Sequence, residues 1–398
     1  MVARHPAPNV ALSLGSAPPA RVVVAGGGFA ALEAVLAVRS LAADRARVTL
    51  ISPSPVLAYH PAATTESFSH GQPRAHDLEA IAADLGVCYR HDRVEAVMVQ
   101  HQRVVLGSGG SLAFDALLLA IGARTNDAIA GALTFRDQRD VPAFRVLLDE
   151  LQAQTFGRLV FAVPTGCSWP LPLYELALLS AKHFHHHRAD VEVTLVSPEP
   201  APLSLFGADA SRLVAELLCE RQVRFVGKSA PIAVDTDGAL ALRFDVAISA
   251  DRVVAAPQLQ VEPIAGVPAS WWGFVPTDSV GRVEGLPDVY AAGDMTTFPI
   301  KQGGLAAQQA DRAAYAIATR LGVTAKDPPE PPVLNAWLLG GDQPLLLRVE
   351  LDQHGQPAAA SIRHADSDDH DRAAKVFGRH LTPYLASRPT IDDRTTAA

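Results

Sequence analysis

The stretch RVVVAGGGFAALEAVLAVRSLA, residues 21–42, decides the fold of this chain. Residues 21–25 form a short β-branched run, which is typical of a strand buried on both faces. The glycines that follow predict a tight turn, and the Ala- and Leu-rich residues after them predict a helix. VTLIS, residues 48–52, predicts a second buried strand. Together these segments form a βαβ unit, the building block of a doubly wound parallel sheet.

The same order of elements occurs a second time. RLVFAV at 158–163 predicts a strand, LPLYELALLSAKHFHHH at 171–187 a helix, and VEVTLV at 191–196 another strand. We therefore predict an α/β protein with two Rossmann-like (doubly wound, three-layer) dinucleotide-binding domains and a small C-terminal region. The predicted boundaries are a flexible leader at 1–20, a discontinuous first domain at 21–126 and 276–322, a second domain at 127–275, and a C-terminal region at 333–398 with a helix at 371–387.

Composition excludes several classes of protein. The 398 residues carry 34 Lys and Arg against 42 Asp and Glu, a net charge of −8, so no basic surplus exists for nucleic acid. The sequence contains no apolar run long enough for a transmembrane span. Three scattered cysteines are too few for a disulfide scaffold or a zinc site. We predict a cytoplasmic protein, with peripheral contact to a membrane and a homodimer left open.

The glycine turn after the first strand carries a dinucleotide-binding pattern. Gly26, Gly28 and Ala31 form G-x-G-x-x-A. The first glycine permits the tight turn, the second lets a pyrophosphate approach the backbone, and the alanine lets the helix pack on the strand. Ser52 stands where an acid usually binds the ribose of the nucleotide. A hydroxyl can serve there, though more weakly than a carboxylate.

The second unit lacks such a turn. Its first strand leads into PTGCSWPLPLYE, in which Gly166 is present but Trp169 and Pro170 stand where a pyrophosphate needs small residues and free backbone N–H groups. Glu199, beyond the strand at 191–196, is a candidate ribose ligand. We interpret this unit as a degraded nucleotide site, although binding of NAD(P)H stays open.

Two further stretches resemble a known superfamily. YAAGDMTTFPIKQGGLAAQQA at 290–310 resembles the C-terminal FAD motif of the FAD-dependent pyridine nucleotide-disulfide oxidoreductases, and its Lys-x-Gly-Gly form resembles sulfide:quinone oxidoreductases and type II NADH dehydrogenases. LLLAIGAR at 117–124 resembles the A-T-G turn of these families, with Ile121 replacing Thr. The resemblance implies FAD bound noncovalently, since no cysteine stands at 55–65 for covalent attachment. It implies Asp294 at the ribityl chain and Lys301 near the flavin pyrimidine ring.

The motifs and the resemblance together provide a set of candidate site residues. The candidate catalytic residues are Lys301, His60 and Cys167. The candidate FAD-binding residues are Gly26, Gly28, Phe29, Ala30, Ala31, Ser52, Pro61, Val94, Ala120, Gly122, Arg124, Gly293, Asp294, Lys301, Gln302, Gly303, Gly304 and Leu305. No metal ligand is assigned, because the histidines of KHFHHHR at 182–188 fit a solvated helix end better than a metal site.

The remaining cysteines and aromatics are predicted to be structural. Cys88 and Cys219 are expected in the core, and Trp272 and Phe274 are expected to pack at the domain junction. No cysteine follows residue 219, so the cysteine pair of sulfide:quinone oxidoreductases is incomplete. Gln308 and Gln309 resemble the quinone-site helix of type II NADH dehydrogenases, with no role assigned.

Three functional hypotheses follow. The first is an FAD-dependent oxidoreductase that passes two electrons through flavin N5 from an unidentified small-molecule donor to an acceptor such as a quinone. The second is an NAD(P)H dehydrogenase of the NADH:quinone type. The third is an FAD-binding protein whose flavin is structural or regulatory. The retained Lys301 disfavours the third, because a structural flavin needs no tuned potential.

Overall fold

The computed structural model describes residues 18–69, 75–324, 327–365 and 375–388. The predicted leader therefore lies almost wholly outside the described residues, as do 371–374 and 389–398. The helices within the described ranges are α1 Phe29–Ala42, α2 Ala63–Glu66, α3 Leu78–Asp84, α4 Val141–Gln152, α5 Leu171–His187, α6 Gly207–Glu220, α7 Gly303–Arg320 and α8 Leu381–Ala386. Among these ranges, no helix is both long enough and apolar enough to cross a membrane.

The strands are short and numerous. They are β1 Ala20–Ala25, β2 Ala46–Ser52, β3 Val56–Ala58, β4 Ala75–Asp77, β5 Cys88–His91, β6 Val94–Met98, β7 Arg103–Leu106, β8 Ser111–Ala113, β9 Ala116–Leu119, β10 Arg124–Asn126, β11 Leu133–Thr134, β12 Gly157–Ala162, β13 Val191–Val196, β14 Val223–Val226, β15 Pro231–Val234, β16 Leu240–Leu242, β17 Val246–Ile248, β18 Arg252–Ala255, β19 Gln258–Gln260, β20 Val289–Ala291, β21 Val333–Leu338, β22 Leu345–Leu351 and β23 Pro357–His364.

Two five-stranded parallel sheets organise the molecule. The first has the order β20-β9-β1-β2-β5, and the second has the order β11-β18-β12-β13-β14. Every pairing in both sheets is parallel. Each sheet places its first βαβ unit at the centre, with β1 beside β2 in one and β12 beside β13 in the other. The predicted α/β class and the repeated Rossmann-like unit are confirmed.

Each sheet has helices on one face and a small antiparallel sheet on the other. In the first sheet, Val22 and Val24 pack against α1 and α7, while Val23 and Ala25 pack against the β6-β7-β8 sheet. In the second sheet, alternate residues of β12 pack against α4–α6 on one face and against the β15-β16-β17 sheet on the other. Three layers are therefore present, but the third layer is a β-sheet instead of helices. The predicted domain boundaries stay predictions.

The C-terminal region begins with the β21-β22-β23 antiparallel sheet. Alternate residues of β22 are buried, and they enter the core that α5 and α6 share with the second parallel sheet. Gln308 on α7 fixes β21, because its amide both donates to the carbonyl of Val333 at 2.7 Å and accepts from the Val333 N–H at 2.8 Å. The two units are joined through this sheet.

The predicted helix at 371–387 is wrong over residues 375–380, where the described chain is irregular and α8 begins only at Leu381. The cause is the buried carboxylate of Glu33 on α1, which accepts the backbone N–H groups of His380 at 2.8 Å and Leu381 at 2.7 Å. These groups therefore hydrogen-bond across the fold. Residues 375–388, which we call the C-terminal strap, are thereby fastened to α1.

We expect Glu33→Ala to destabilise the protein by about 2–4 kcal/mol, since two backbone donors lose a charged acceptor in a buried place. Urea unfolding measures the loss, and limited proteolysis should show faster cleavage within the C-terminal strap. Glu220→Ala, an exposed position on α6, is the matched control. A Glu33→Ala protein as stable and as protease-resistant as the control would contradict the role assigned to Glu33.

Candidate functional site

The turn between β1 and α1 requires glycine at position 26. Gly26 has φ +138°, and a Cβ there would lie 2.1 Å from the carbonyl oxygen of Ala120 at the end of β9. Its N–H donates to the carbonyl of Ile51 on β2 at 2.8 Å. The turn therefore lies in contact with the ends of both neighbouring strands, and no side chain fits.

Gly28 differs from Gly26, because the space beside it is open. It occupies the N-cap position of α1, with no side chain capping the helix, and no described atom lies within 4 Å of the position of its Cβ. Ala30 and Ala31 are buried, so α1 packs closely on the sheet as the motif predicts. An exposed helix N-terminus with free backbone donors is suited to bind phosphate groups. The glycine turn therefore fits a dinucleotide.

The other predicted residues of the first unit differ in exposure and in the contacts that they already make. The Ser52 hydroxyl donates to the carbonyl of Ser54 at 2.8 Å and is 1% exposed, so its oxygen already has a local partner. Gly122 has φ +72° and open space beside it. Arg124 is exposed and forms an ion pair with Glu262. Val94 opens β6, Pro61 is half-buried and Ala120 is buried. Their roles as cofactor ligands stay predictions.

Asp294 follows β20 and the turn at Gly293. Gly293 has φ +79°, with its Cβ position close to Ala30 of α1 and Ala306 of α7, so the turn lies between the two helices. The carboxylate of Asp294 is half-buried, and no hydrogen-bond partner for it occurs among the residues that the structure describes. Burial raises its pKa, and the nearby charge of Lys301 opposes that rise. A desolvated carboxylate without a protein partner fits a ligand that offers hydroxyl groups.

Lys301 lies beside the start of α7 and is 9% exposed. Its Nζ donates to the carbonyl of Thr296 and lies 4.4 Å from the ring centroid of Phe274. Burial lowers the pKa of Lys301 to about 8, although the charge of Asp294 favours the protonated form. At pH 7 the site therefore still holds a positive charge. Phe274 meets the expectation of a packed ring, whereas Trp272 is half exposed and Trp271 almost fully exposed.

The first turn of α7 is built from the predicted Gln302–Leu305 segment. The Gln302 side chain caps the helix by accepting the N–H of Leu305 at 2.9 Å. A Cβ at Gly303 would touch Phe29 and Val376, and a Cβ at Gly304 would approach the backbone of Phe377. The C-terminal strap thus lies against these glycines. Gln309 accepts the Gly293 N–H at 2.8 Å, so Gln308 and Gln309 both serve the fold.

The loop at 59–61 lies near the same two helices. The Tyr59 ring meets the Phe29 ring edge-on at a centroid distance of 5.6 Å, which anchors the loop to the start of α1. The Tyr59 hydroxyl accepts the N–H of Lys375 in the C-terminal strap at 2.7 Å. His60 is exposed, and its Nδ1 lies 2.9 Å from Oε1 of Gln138. A titratable ring therefore stands beside the elements that form the glycine turn.

The second unit brings its predicted residues together in a closed arrangement. Burial raises the pKa of the Cys167 thiol to about 11, so Cys167 is protonated at neutral pH. The Trp169 ring packs on Phe206 at a centroid distance of 6.3 Å, just before α5 begins. Glu199 already accepts hydrogen bonds from the Tyr174 hydroxyl at 2.7 Å and the Ser197 hydroxyl at 2.9 Å. Both bonds are to Oε2, which is therefore engaged inside the protein, while Gly166 keeps open space beside it.

Two predictions about cysteines are wrong. Cys88 and Cys219 are both exposed instead of buried in the core. Cys88 lies on the edge strand β5, where three of the four residues are exposed, and Cys219 lies on the exposed face of α6 next to buried Leu218. Position within an element, more than residue type, decides their burial.

The histidines at the end of α5 are only partly solvated. His183 Nε2 lies 3.0 Å from Oε1 of Gln152, and its ring is 4.3 Å from that of His187. Burial lowers the pKa of His183. A separate group, Glu33, Asp311 and His380, has ligand atoms within 4.8 Å of one another. Both oxygens of Glu33 accept backbone N–H groups of the C-terminal strap. We therefore interpret this group as a structural contact that holds the strap against α1.

Sequence analysis missed several buried polar contacts around the site. Glu175 on α5 is 1% exposed and binds Nζ of Lys375 at 2.6 Å and the hydroxyl of Thr64 at 2.8 Å. Glu33 and Glu175 each stand as a single acid within an apolar helix, which is a usable signal for a buried carboxylate with a partner. Gln138 offers no such signal.

Comparisons with known proteins agree with this arrangement. The family model described as pyridine nucleotide-disulphide oxidoreductase matches residues 20–314. The sulfide:quinone oxidoreductase from Aquifex aeolicus is similar in fold, with a TM-score of 0.77, 18% identity and 87% of each chain covered. A ferredoxin reductase from Rhodopseudomonas palustris has a TM-score of 0.64 and 19% identity, with 83% of this chain and 82% of that one covered.

A third similar structure is the NAD-dependent persulfide reductase from A. fulgidus, with a TM-score of 0.61 and 18% identity. It covers 84% of this chain and 65% of its own. A search of curated protein sequences finds no significant match. At these identities the solved structures show the fold alone.

Gly26 and Gly28 should respond differently to substitution. Gly26→Ala places a Cβ against Ala120 at a positive φ, so we expect a loss of several kcal/mol or failure to fold. The Cβ of Gly28→Leu has no described atom within 4 Å and the position is exposed, so we expect a change within about 1 kcal/mol. The same variant should lose bound flavin, because its side chain fills the space open to phosphates. Urea unfolding and flavin absorbance per chain measure both effects. Full flavin content in Gly28→Leu would be incompatible with this site.

Proposed function

The chain belongs to the pyridine nucleotide-disulphide oxidoreductase family and is an oxidoreductase, and we propose that it uses noncovalent FAD to move two electrons from a small-molecule donor to an acceptor such as a quinone. The observation that carries the proposal is the convergence of two helix N-termini, α1 at Gly28 and α7 at Gln302, on one region that also holds Asp294 and Lys301.

The donor set supports FAD. The open space beside Gly28 leaves room for a pyrophosphate. The Asp294 carboxylate, which has no hydrogen-bond partner among the described residues, suits the hydroxyls of a ribityl chain. Phe29, Ala30 and Ala31 would line the pyrophosphate turn, and Gln302–Leu305 would face the flavin ring. When bound, FAD supplies a two-electron carrier that reacts at flavin N5.

Lys301 would set the electrostatics of the ring site. Its ammonium group is held in place by the Thr296 carbonyl and the Phe274 ring, inside a desolvated environment. The positive end of the α7 dipole lies close by. Both favour negative charge at the pyrimidine end of a flavin, which argues against a purely structural cofactor. His60, exposed in the loop that Tyr59 anchors to Phe29 at the start of α1, is proposed to exchange a proton with the donor or with solvent.

We propose a donor other than NAD(P)H. The second unit offers no open glycine turn of the first unit's kind, because Trp169 packs at the start of α5 and Glu199 is occupied by Tyr174 and Ser197. A full dithiol cycle is also disfavoured, because the Cys167 thiol has a pKa of about 11 and no cysteine follows residue 219. The open space at Gly166 keeps NAD(P)H as the alternative donor.

Lys301→Met should make the flavin harder to reduce. The substitution removes one buried positive charge, and a hydrogen bond to a charged group contributes about 1.5–3 kcal/mol. For a two-electron couple this free energy corresponds to a midpoint potential that is lower by about 30–60 mV. A dye-linked redox titration of the holoprotein measures the shift. Lys182→Met, at an exposed lysine on α5, is the matched control and should leave the potential unchanged. Equal potentials in the two variants would remove Lys301 from the proposal.

Anaerobic titration with NADH and NADPH tests the choice of donor. We expect no bleaching of the oxidised-flavin absorbance band by either nicotinamide, whereas dithionite should reduce the flavin fully. Stoichiometric bleaching by NADH or NADPH would reject the proposed donor class and make the chain an NAD(P)H dehydrogenase. If neither nicotinamide bleaches the flavin, sulfide, thiols and small organic donors should next be screened against acceptor quinones.

A further inference from the structure

The exposed ring of His60 is held by a side chain of the second unit, from the turn between β11 and α4. Nδ1 of His60 lies 2.9 Å from Oε1 of Gln138, and Nε2 of Gln138 donates to the backbone carbonyl of Tyr59 at 2.7 Å. One amide thus contacts both the ring of His60 and the peptide group directly before it. The two residues are 78 positions apart in sequence, so the contact belongs to the tertiary fold.

This pair of contacts determines where the ring carries its hydrogen. A carbonyl oxygen only accepts, so the amide nitrogen of Gln138 must face Tyr59 and its oxygen must face His60. The amide oxygen in turn only accepts, so Nδ1 of His60 must donate. In the neutral ring the lone pair is then on Nε2. Nε2 is therefore the atom that gains and loses a proton.

The surrounding charges leave this assignment intact. The nearest carboxylate, Asp137, has an oxygen 3.9 Å from Nδ1 of His60. Asp137 also accepts from the Arg139 guanidinium at 2.7 Å and caps its own turn, so the acid and the arginine form a largely neutral pair. Neither residue competes with Gln138 for Nδ1. The Tyr59 ring contacts Phe29, which sets the loop beside the start of α1.

We infer that Gln138 is a positioning residue that holds His60 in the Nδ1–H tautomer, so that Nε2 is its proton-exchanging atom. The inference rests on the proposed function for its purpose. A two-hydrogen donor would lose a hydride equivalent to the flavin and a proton to Nε2, and the resulting imidazolium would release that proton to solvent. Electrons and hydrogens balance, since the donor loses two of each.

Nitrogen NMR of the holoprotein labelled with [15N]histidine tests the inference, and His60→Gln identifies the signals. We expect a protonated Nδ1 and an unprotonated Nε2 for His60 in the wild type. On acidification the Nε2 signal should move, while Nδ1 stays protonated. Gln138→Leu should shift the major form toward the Nε2–H tautomer, because the acceptor that holds Nδ1–H is lost. Gln154→Leu, at an exposed glutamine, is the control.

An Nε2–H tautomer in the wild type, or no change in Gln138→Leu, would overturn the inference. The wild-type measurement decides even where a Gln138 variant fails to fold. Flavin absorbance of the same samples separates the two ideas. A protein without flavin would contradict the proposed function while the tautomer of His60 still reports on Gln138.

Discussion

The contact between Gly26 and the carbonyl of Ala120 is the constraint on which the site depends. A turn that lacks a Cβ can approach the end of β9 closely, and the same turn is bonded to β2 through Ile51. Because the turn is held on both sides, α1 begins directly above the sheet, with its first N–H groups directed outward. The uncapped helix start and the open space at Gly28 follow from that geometry.

The second unit repeats the sheet but uses the equivalent helix start differently. At α5 the N-cap is Pro170, and the residue before it packs its indole ring on the core. Glu199, just beyond the end of β13, accepts a hydrogen bond from the hydroxyl of Tyr174 on α5. The four corresponding strands, β9-β1-β2-β5 and β18-β12-β13-β14, have the same order, yet the first unit has an open glycine turn and the second a packed junction. Sheet order alone carries no function.

The sequence predicted the repeated βαβ units, the glycine turn and the α7 start, because local periodicity and glycine spacing encode these features directly. It failed where distant contacts decide. Residues 375–380 of the C-terminal strap are irregular because Glu33 accepts the backbone N–H groups of His380 and Leu381. No local sequence pattern indicates a partner more than 340 residues away. Cys88 and Cys219 are exposed because of which face they occupy, which residue type does not reveal. Gln138 beside His60 likewise depends on tertiary placement.

The C-terminal strap also bears on the order in which the chain can fold. It is fastened to α1 through Glu33, to α3 through Asp84 and to α5 through Glu175, three helices that emerge from the ribosome far earlier. Until the strap arrives, buried Glu33 lacks its two backbone donors and buried Glu175 lacks the ammonium group of Lys375. The early helices can therefore form during synthesis, but their final packing must wait for the last segment. Final packing around Gly303 and Gly304 is in this way coupled to synthesis of residues 375–388.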